Sequence, residues 1–464
     1  MDPESVNANI NADLLAPIER TTWRFYAATA IAASILLAAI LAFAFQFHNG
    51  IGVIGIRKPV MWGFYITNFV FWIGISHAGT LISAILRLVN ASWRRPITRC
   101  AEVITVFALL IGSMFPIIHL GRPWLFFWLV PYPNERMIWP NFRSPLLWDF
   151  MAINTYLIGS FTYLLLPLIP DLALIRDRST GLRRRIYGAL SLGWRGTALQ
   201  WNRLERTISI MAIIIVPVAV SVHTIVSWDF AMTLNPMWKS TIFGPYFVVG
   251  AIFSGIAALI LAMAILRRVL HLEAYLRPVH FDNLGKLLLT MSCLWFYFTF
   301  AEYLTVWYSN EPFEVVVFRA KVSGPYAPLF WTMIACNAVI PLLLLGIRRL
   351  RTITGTAIAS LAVVLGMWIE RFLIIVPTLA NPRLSFVRGD YTPTWVEITV
   401  TCGTIAYFVL LYLLFTKFFP IISMWELRAE ARRPQVDVLI VDKPARPAEI
   451  PEFSPSMLEA EDGS

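Results

Sequence analysis

The sequence predicts an all-α integral membrane protein of about ten transmembrane helices. Two observations make a soluble fold untenable. Of the 464 residues 58% are hydrophobic and only 14% are charged, where soluble domains carry about 25% charged residues; and the mean hydropathy is +0.66. A third observation supplies the helix count. Apolar runs of about 20 residues, enough to cross a ~30 Å hydrocarbon layer at ~1.5 Å per residue, recur near 25–46, 59–86, 101–119, 146–168, 207–228, 244–266, 284–307, 326–346, 353–378 and 395–418. The net charge of +10 lies in short loops between these runs, which is how membrane topology is encoded, and no nucleic-acid motif accompanies it.

Taken in order, residues 1–22 are polar and include Asp2, Glu4, Asp13 and Glu19. That is the wrong start for a cleaved signal peptide, so the first apolar run, within 23–58, stays as a helix. Residues 59–230 contain helices two to five and residues 231–378 helices six to nine. The tenth helix falls in 379–420, and 421–464 is a tail, mixed in charge from Trp425 to Arg433 and then rich in Pro and acids, expected to be extended. A faint repeat overlays the second and sixth helices at an offset of 181, matching Gly63 with Gly244, Tyr65 with Tyr246, Gly74 with Gly255 and Arg87 with Arg268. Both segments cross in the same direction, so the repeat relates two parallel four-helix bundles, flanked by the first and tenth helices. Lys and Arg concentrate in the loops after the even-numbered helices, above all Arg176 to Arg206 with its Arg183-Arg184-Arg185 run. Those loops and both termini are therefore expected on the cytoplasmic side of a bacterial inner membrane. Cys100, Cys293, Cys336 and Cys402 form no CxxC pair and are expected to be buried thiols.

Ionisable groups inside spanning segments are costly and mark function by default. The richest constellation runs from Phe115 to Phe150, FPIIHLGRPWLFFWLVPYPNERMIWPNFRSPLLWDF. His119 ends the third helix and Asp149 opens the fourth; the loop between them holds Arg122, Arg136 and Arg143 with Trp124, Tyr132 and further aromatics. An interfacial aromatic belt explains the rings, and a structural His–Asp pair pinning the loop is the plain alternative. An imidazole and a carboxylate bracketing one loop at one depth also suit a diphenol. Quinol oxidation releases two electrons and two protons, and His119 and Asp149 supply one proton acceptor for each hydroxyl. Arg122, Trp124 and Tyr132 are the expected neighbours of the head group.

A second set comprises His77, His223, Asp229, Glu302, Glu370 and Arg371. Proton conduction and a buried structural network both account for such a set, since each needs satisfied charge in a low dielectric. Adding the repeat offset to His119 lands two residues from Glu302. Glu370 and Arg371 are adjacent, about 100° apart on a helix, and are expected to partner other helices. His48, His271 and His280 are placed in loops, and His119 with His223 is the sole candidate pair for a bis-histidine haem at the outward side.

Three segments, GFYITNFVFWIGISHAGTLISAILRL, FPIIHLGRPW with NFRSPLLWDF, and VHTIVSWDFAM followed by GPYFVVGAIFSG, resemble the NrfD or polysulfide-reductase-C family of membrane subunits. The closest branch is ActC, the larger quinol-interacting subunit of bacterial alternative complex III, and the likeness spans residues 22 to about 430. The resemblance implies two four-helix bundles plus two further helices and no haem or iron–sulfur cluster bound by this chain. It implies oxidation of menaquinol or ubiquinol at the outward face. Electrons would pass to an iron–sulfur subunit and on to haem c subunits, beside a second NrfD-like membrane subunit. His119 and Asp149 stand at the family's proposed quinol ligands. Proton translocation is a suggested family property. The competing readings are a secondary transporter, which would show inverted repeats and broken midplane helices, and a membrane anchor without a site.

Overall fold

A computed structural model describes residues 3–56, 59–130, 142–384 and 387–431. Fifteen α-helices succeed one another in those residues: α1 Pro3–Glu19, α2 Trp23–Asn49, α3 Gly63–Leu88, α4 Arg95–Ile118, α5 Pro145–Arg178, α6 Gly181–Leu190, α7 Ala198–Ala231, α8 Phe243–Val269, α9 Pro278–Ser309, α10 Pro312–Val322, α11 Ala327–Ile334, α12 Ile340–Gly346, α13 Ile353–Ala380, α14 Trp395–Phe418 and α15 Met424–Ala431. Ten of the described segments are long and apolar enough to cross a membrane, with α11 and α12 joined as one. The chain is a multi-pass membrane protein. Several helices run beyond their apolar cores, α5 to 34 residues and α7 to 34 residues, because polar and charged residues continue the helix after the hydrophobic run stops.

Helices α3, α4, α5 and α7 pack as one group; α8, α9, α11–α12 and α13 pack as a second; and α2 packs along α14 outside them. The seam between the groups is made by the two helices that the sequence overlay matched, α3 and α8, with α7 and α13 beside them. Gly74 lies on that seam, where a Cβ would meet Ser254 and Ala251. Gly79 allows the tightest approach, its α-carbon facing the Ala101 backbone of α4 so closely that a side chain has no room. In the second group Pro341 lacks the N–H that would serve the Asn337 carbonyl, so the helix loosens into a π turn at Ala335–Val339. The Ser292 hydroxyl takes over that carbonyl at 2.6 Å.

Helices α1 and α15 and the short link before α15 close the Arg-rich end. Arg99 in α4 pairs with Asp171 in α5 at 2.7 Å, fully buried. The same guanidinium donates to the carbonyls of Pro420, Ile422 and Pro167, and Asp171 accepts from the Met424 and Trp425 amides. Glu426 accepts from Arg87 and Arg94, and Lys417 donates to the Pro17 carbonyl. A buried ion pair is costly where its remaining donors and acceptors are not met; here α5 and the chain after α14 meet most of them, leaving Arg99 Nε without a partner among the described residues.

Some expectations need correction. The polar N-terminus is helical, with Ile10, Leu14, Leu15 and Ile18 buried, because it packs on α14 and α15. His48 lies in the last turn of α2 and His280 in the first turn of α9, since both helices outrun their apolar cores. Only Cys100 is a buried thiol; Cys293 and Cys402 are exposed on spanning helices and Cys336 is half-buried. Apolar surface on such helices faces lipid, so a small apolar residue is at home there.

Candidate functional site

The last turn of α4 carries the first element. Helix C-termini leave carbonyls unpaired. Here Gln46, a buried amide on the otherwise lipid-facing α2, donates to the Ile118 carbonyl at 3.0 Å and accepts from the Tyr65 hydroxyl at 2.6 Å. Three helices are thereby tied one residue before His119. The His119 amide closes on the Phe115 carbonyl at 3.0 Å, and its ring lies 5.4 Å from the Trp62 ring. Trp62 opens α3 from a left-handed backbone position, φ 55°.

The second element joins α5 to α7. Trp148 donates to the Phe142 carbonyl at 2.8 Å, folding the end of the loop onto α5, and meets Trp228 edge-on at 6.4 Å. The next residues in each helix, Asp149 and Asp229, lie against each other where α5 packs on α7. Carboxylates only accept hydrogen bonds, and two of them side by side in a low dielectric repel unless a proton is shared. Asp149 is buried. Among the described residues Asp149 Oδ1, Asp229 Oδ1, His119 Nδ1 and Trp62 Nε1 are buried without a hydrogen-bond partner. Unpaired buried polar atoms are costly and rare, and four at one end of a bundle fit a ligand with hydroxyl or carbonyl groups. The sequence sets Asp229 with His77 and His223, and the structure brings it against Asp149; adjacency to Trp228 did not reveal which helix it faced.

The other expected neighbours scatter. Arg122 is exposed, and Trp124 rests edge-on against Phe47 of α2 at 5.6 Å. Tyr132 and Arg136 lie outside the described residues.

Deeper in the molecule, at the α3–α7–α8–α13 seam, His77 and His223 stand with ring centroids 4.5 Å apart. Both ring nitrogens of His77 face carbonyls, Ile73 at 2.6 Å and Ala219 at 2.8 Å, while both nitrogens of His223 are buried without partners among the described residues. His223 thus stands against His77. Arg371 reaches the same seam, lying 4.6 Å from the Phe247 ring centre in space left by Gly250. Contrary to expectation it also meets its neighbour Glu370 at 3.4 Å, because long side chains bridge the angle between adjacent positions. Glu370 accepts from Trp295 at 2.7 Å. Glu302 accepts from Ser240 at 2.7 Å and borders a cavity of about 20 Å³, room for one water, lined also by Tyr246, Tyr303, Lys321 and Glu370.

The profile of the polysulphide reductase, NrfD, family matches residues 52–382, which is most of the chain and contains His77, His119, Asp149, His223, Asp229, Glu302, Glu370 and Arg371. The chain belongs to the NrfD family. Among its relatives, a membrane protein of Halobacterium salinarum named for dimethyl sulfoxide reductase is 26% identical, covering 84% of this chain and 90% of that one. A selenate reductase subunit of Mesobacillus selenatarsenatis is 23% identical, over 84% and 92% of the two chains. The Hdr-like menaquinol oxidoreductase integral membrane subunit of Archaeoglobus fulgidus is 23% identical over the same shares. NrfD membership makes this chain a membrane subunit of the kind that works within multi-subunit oxidoreductases. Among its described residues no cluster of three or more His, Cys, Asp or Glu has the geometry to hold a metal ion.

A second carboxylate escaped sequence reading. Glu397 is fully buried at the start of α14 and accepts from the Gly55 amide at 2.8 Å, the Thr394 amide at 2.9 Å and the Tyr391 hydroxyl at 2.6 Å. The Tyr391 oxygen in turn accepts from the Phe64 amide at 3.0 Å. With every acceptor engaged, this group caps α3 and α14 and shapes the approach to Trp62. The signal available was Thr394 followed three residues later by Glu, a capping box.

Proposed function

We propose that this NrfD-family chain oxidises a quinol at the end of the first bundle where Asp149, Asp229 and His119 converge, as the membrane subunit of an alternative-complex-III type assembly. The observation that carries the reading is the juxtaposed, buried Asp149 and Asp229 carboxyl groups, each with an oxygen that has no hydrogen-bond partner among the described residues. A pair holding one proton accepts one more, and a neutral His119 ring accepts another. Quinol gives up two hydrogens as two protons and two electrons; the two protons go to the carboxyl pair and to His119 Nδ1, and the electrons leave to a redox partner docked over this end. An iron–sulfur subunit followed by haem c subunits, with a second NrfD-like membrane subunit alongside, fits that requirement. The name of the Archaeoglobus relative, a menaquinol oxidoreductase subunit, supports the substrate class.

The Arg-rich end then faces the cytoplasm of a bacterial inner membrane, with both termini on that side. As a second reading, the paired rings of His77 and His223, with Arg371 and Glu370 at the same seam and Glu302 beyond the cavity, form a route for protons coupled to oxidation. What favours it is the unpartnered His223 ring beside a His77 ring that faces two carbonyls.

The test is oxidation of a short-chain naphthoquinol or benzoquinol by the purified complex. Asp149→Asn is expected to assemble normally and to lose turnover, since the amide accepts no proton. Normal turnover, or loss of assembly with intact specific activity, would sink the proposal.

A further inference from the structure

Helix α6 lies between the ends of two spanning helices. Two residues separate the end of α5 at Arg178 from the start of α6 at Gly181, and α7 starts at Ala198. Such short tethers hold α6 at the edge of the membrane. One face of the helix docks on the protein: Tyr187 is buried and donates from its hydroxyl to the Phe418 carbonyl at 2.8 Å. The turn that follows is held by Arg176, which donates to the Trp194 carbonyl at 3.0 Å and to Ser191 at 3.3 Å. α6 is therefore a fixed element of the surface.

Its other face is apolar and uncovered. Leu182, Ile186 and Leu190 follow one another at helical spacing, with Leu182 72% and Ile186 50% exposed, and Leu192 continues the patch at 68%. At about 100° per residue Arg183 and Arg185 fall on opposite flanks of this stripe, and both are exposed. From Arg178 to Arg206 the sequence holds seven arginines and a single acid, Glu205.

We propose that α6 and its flanking arginines bind an anionic phospholipid, the guanidinium groups taking the phosphate head group and the Leu182–Ile186–Leu190 stripe resting on the acyl chains. Each half of the surface selects this occupant. A planar guanidinium matches phosphate oxygens two at a time, and basic residues at the membrane surface draw anionic lipids. An apolar stripe at the level where chains meet head groups is covered by lipid and by nothing in water. An acidic soluble polypeptide would answer the arginines and leave the leucines bare.

Native mass spectrometry of the purified full-length chain, offered equal amounts of phosphatidylglycerol and phosphatidylcholine, tests the proposal. Phosphatidylglycerol adducts are expected to predominate. The combined variant Arg183→Gln, Arg184→Gln, Arg185→Gln is expected to lower phosphatidylglycerol affinity about tenfold or more, and Lys at the same three positions to retain most of it. Leu182→Ser with Ile186→Ser is expected to weaken both lipids alike. Equal retention of the two lipids by the wild type, or unchanged phosphatidylglycerol retention in the glutamine variant, overturns the proposal. If the glutamine variant does not fold, the wild-type competition repeated at rising salt decides alone. Hydrogen-exchange protection of 181–192 by a polypeptide partner in phosphatidylcholine discs also overturns it.

Discussion

The two bundles bury carboxyl groups at the same end of the molecule and treat them in opposite ways. In the first, Asp149 and Asp229 lie against each other and leave one oxygen apiece without a partner among the described residues, and His119 at the end of α4 has a ring nitrogen in the same state. In the second, Glu302 accepts from Ser240 and shares its cavity with Lys321, a buried cation next to the Tyr303 ring. On α10, outside the spanning helices, burial pushes the Lys321 ammonium down to about 8 while Glu302 pulls it back up. A low dielectric penalises an unpaired charge heavily. In the second bundle Glu302 meets the requirement internally, with hydroxyl and ammonium, although Glu370 Oε2 and the Arg371 terminal nitrogens have no hydrogen-bond partner among the described residues. In the first, Asp149 Oδ1 and Asp229 Oδ1 are buried with no donor among the described residues. On the proposed function, the first frame would end in a ligand site and the second in a scaffold.

The largest effect that would break this comparison comes from the carboxyl pair. Asp149→Asn and Asp229→Asn should each lower quinol oxidation by roughly 10²-fold or more, the scale of a lost general base. The double variant should be little worse than either single one, because the two groups act as one unit. Steady-state rates of the assembled complex check both points; additive losses would mean that the two aspartates work separately. His119→Ala should follow with a loss of roughly tenfold to a hundredfold, unaccompanied by any fall in the amount of complex recovered from membranes.

Glu302→Gln sharpens the comparison from the other side. The amide oxygen still accepts from Ser240, so turnover should stay near normal, while the proton-to-electron ratio measured in liposomes should fall if Glu302 belongs to the proton route. An unchanged ratio leaves the second bundle as scaffold. The smallest effect concerns Lys321. Its folded value near 8 lies below the unfolded value of about 10.4, so between those limits the unfolded chain binds more protons. Stability should therefore rise with pH across that window, with the full penalty present below 8. Thermal unfolding of Lys321→Met between pH 7.5 and 10 should lose that rise, and an identical slope would refute the assignment.

Much of the site was legible before the fold. His119 and Asp149 stood out because an imidazole and a carboxylate are rare at the ends of apolar runs, and rarity is readable in one dimension. Asp229 was visible as a residue and invisible as a partner, since its pairing depends on how α5 lies against α7. Gln46 gave no signal at all: one amide in a long apolar helix reads as tolerated polarity until the Ile118 carbonyl and Tyr65 are seen beside it. Arg99, Glu102 and Asp171 lie at or beyond the ends of their apolar runs, where charge is ordinary and draws no notice, yet all three are buried. Helix continuation past the apolar core, and the chain that folds back after α14, put them inside.

By itself, then, the sequence determined what the solvent imposes. Hydrocarbon accepts no unpaired backbone, so runs of about 20 apolar residues must be helices, and their number, order and rough ends follow from hydropathy alone. It determined the family likeness too, carried in contiguous motifs. The tertiary structure decided everything that depends on which helix faces which: the seam of α3 on α8, the pairing of His77 with His223, the clasp of Trp148–Asp149 on Trp228–Asp229, and the difference between a satisfied Glu302 and an unsatisfied Asp149. Hydropathy is a property of each residue against its solvent, whereas hydrogen-bond satisfaction is a property of pairs held a few ångströms apart, and such pairs exist only once the helices have packed.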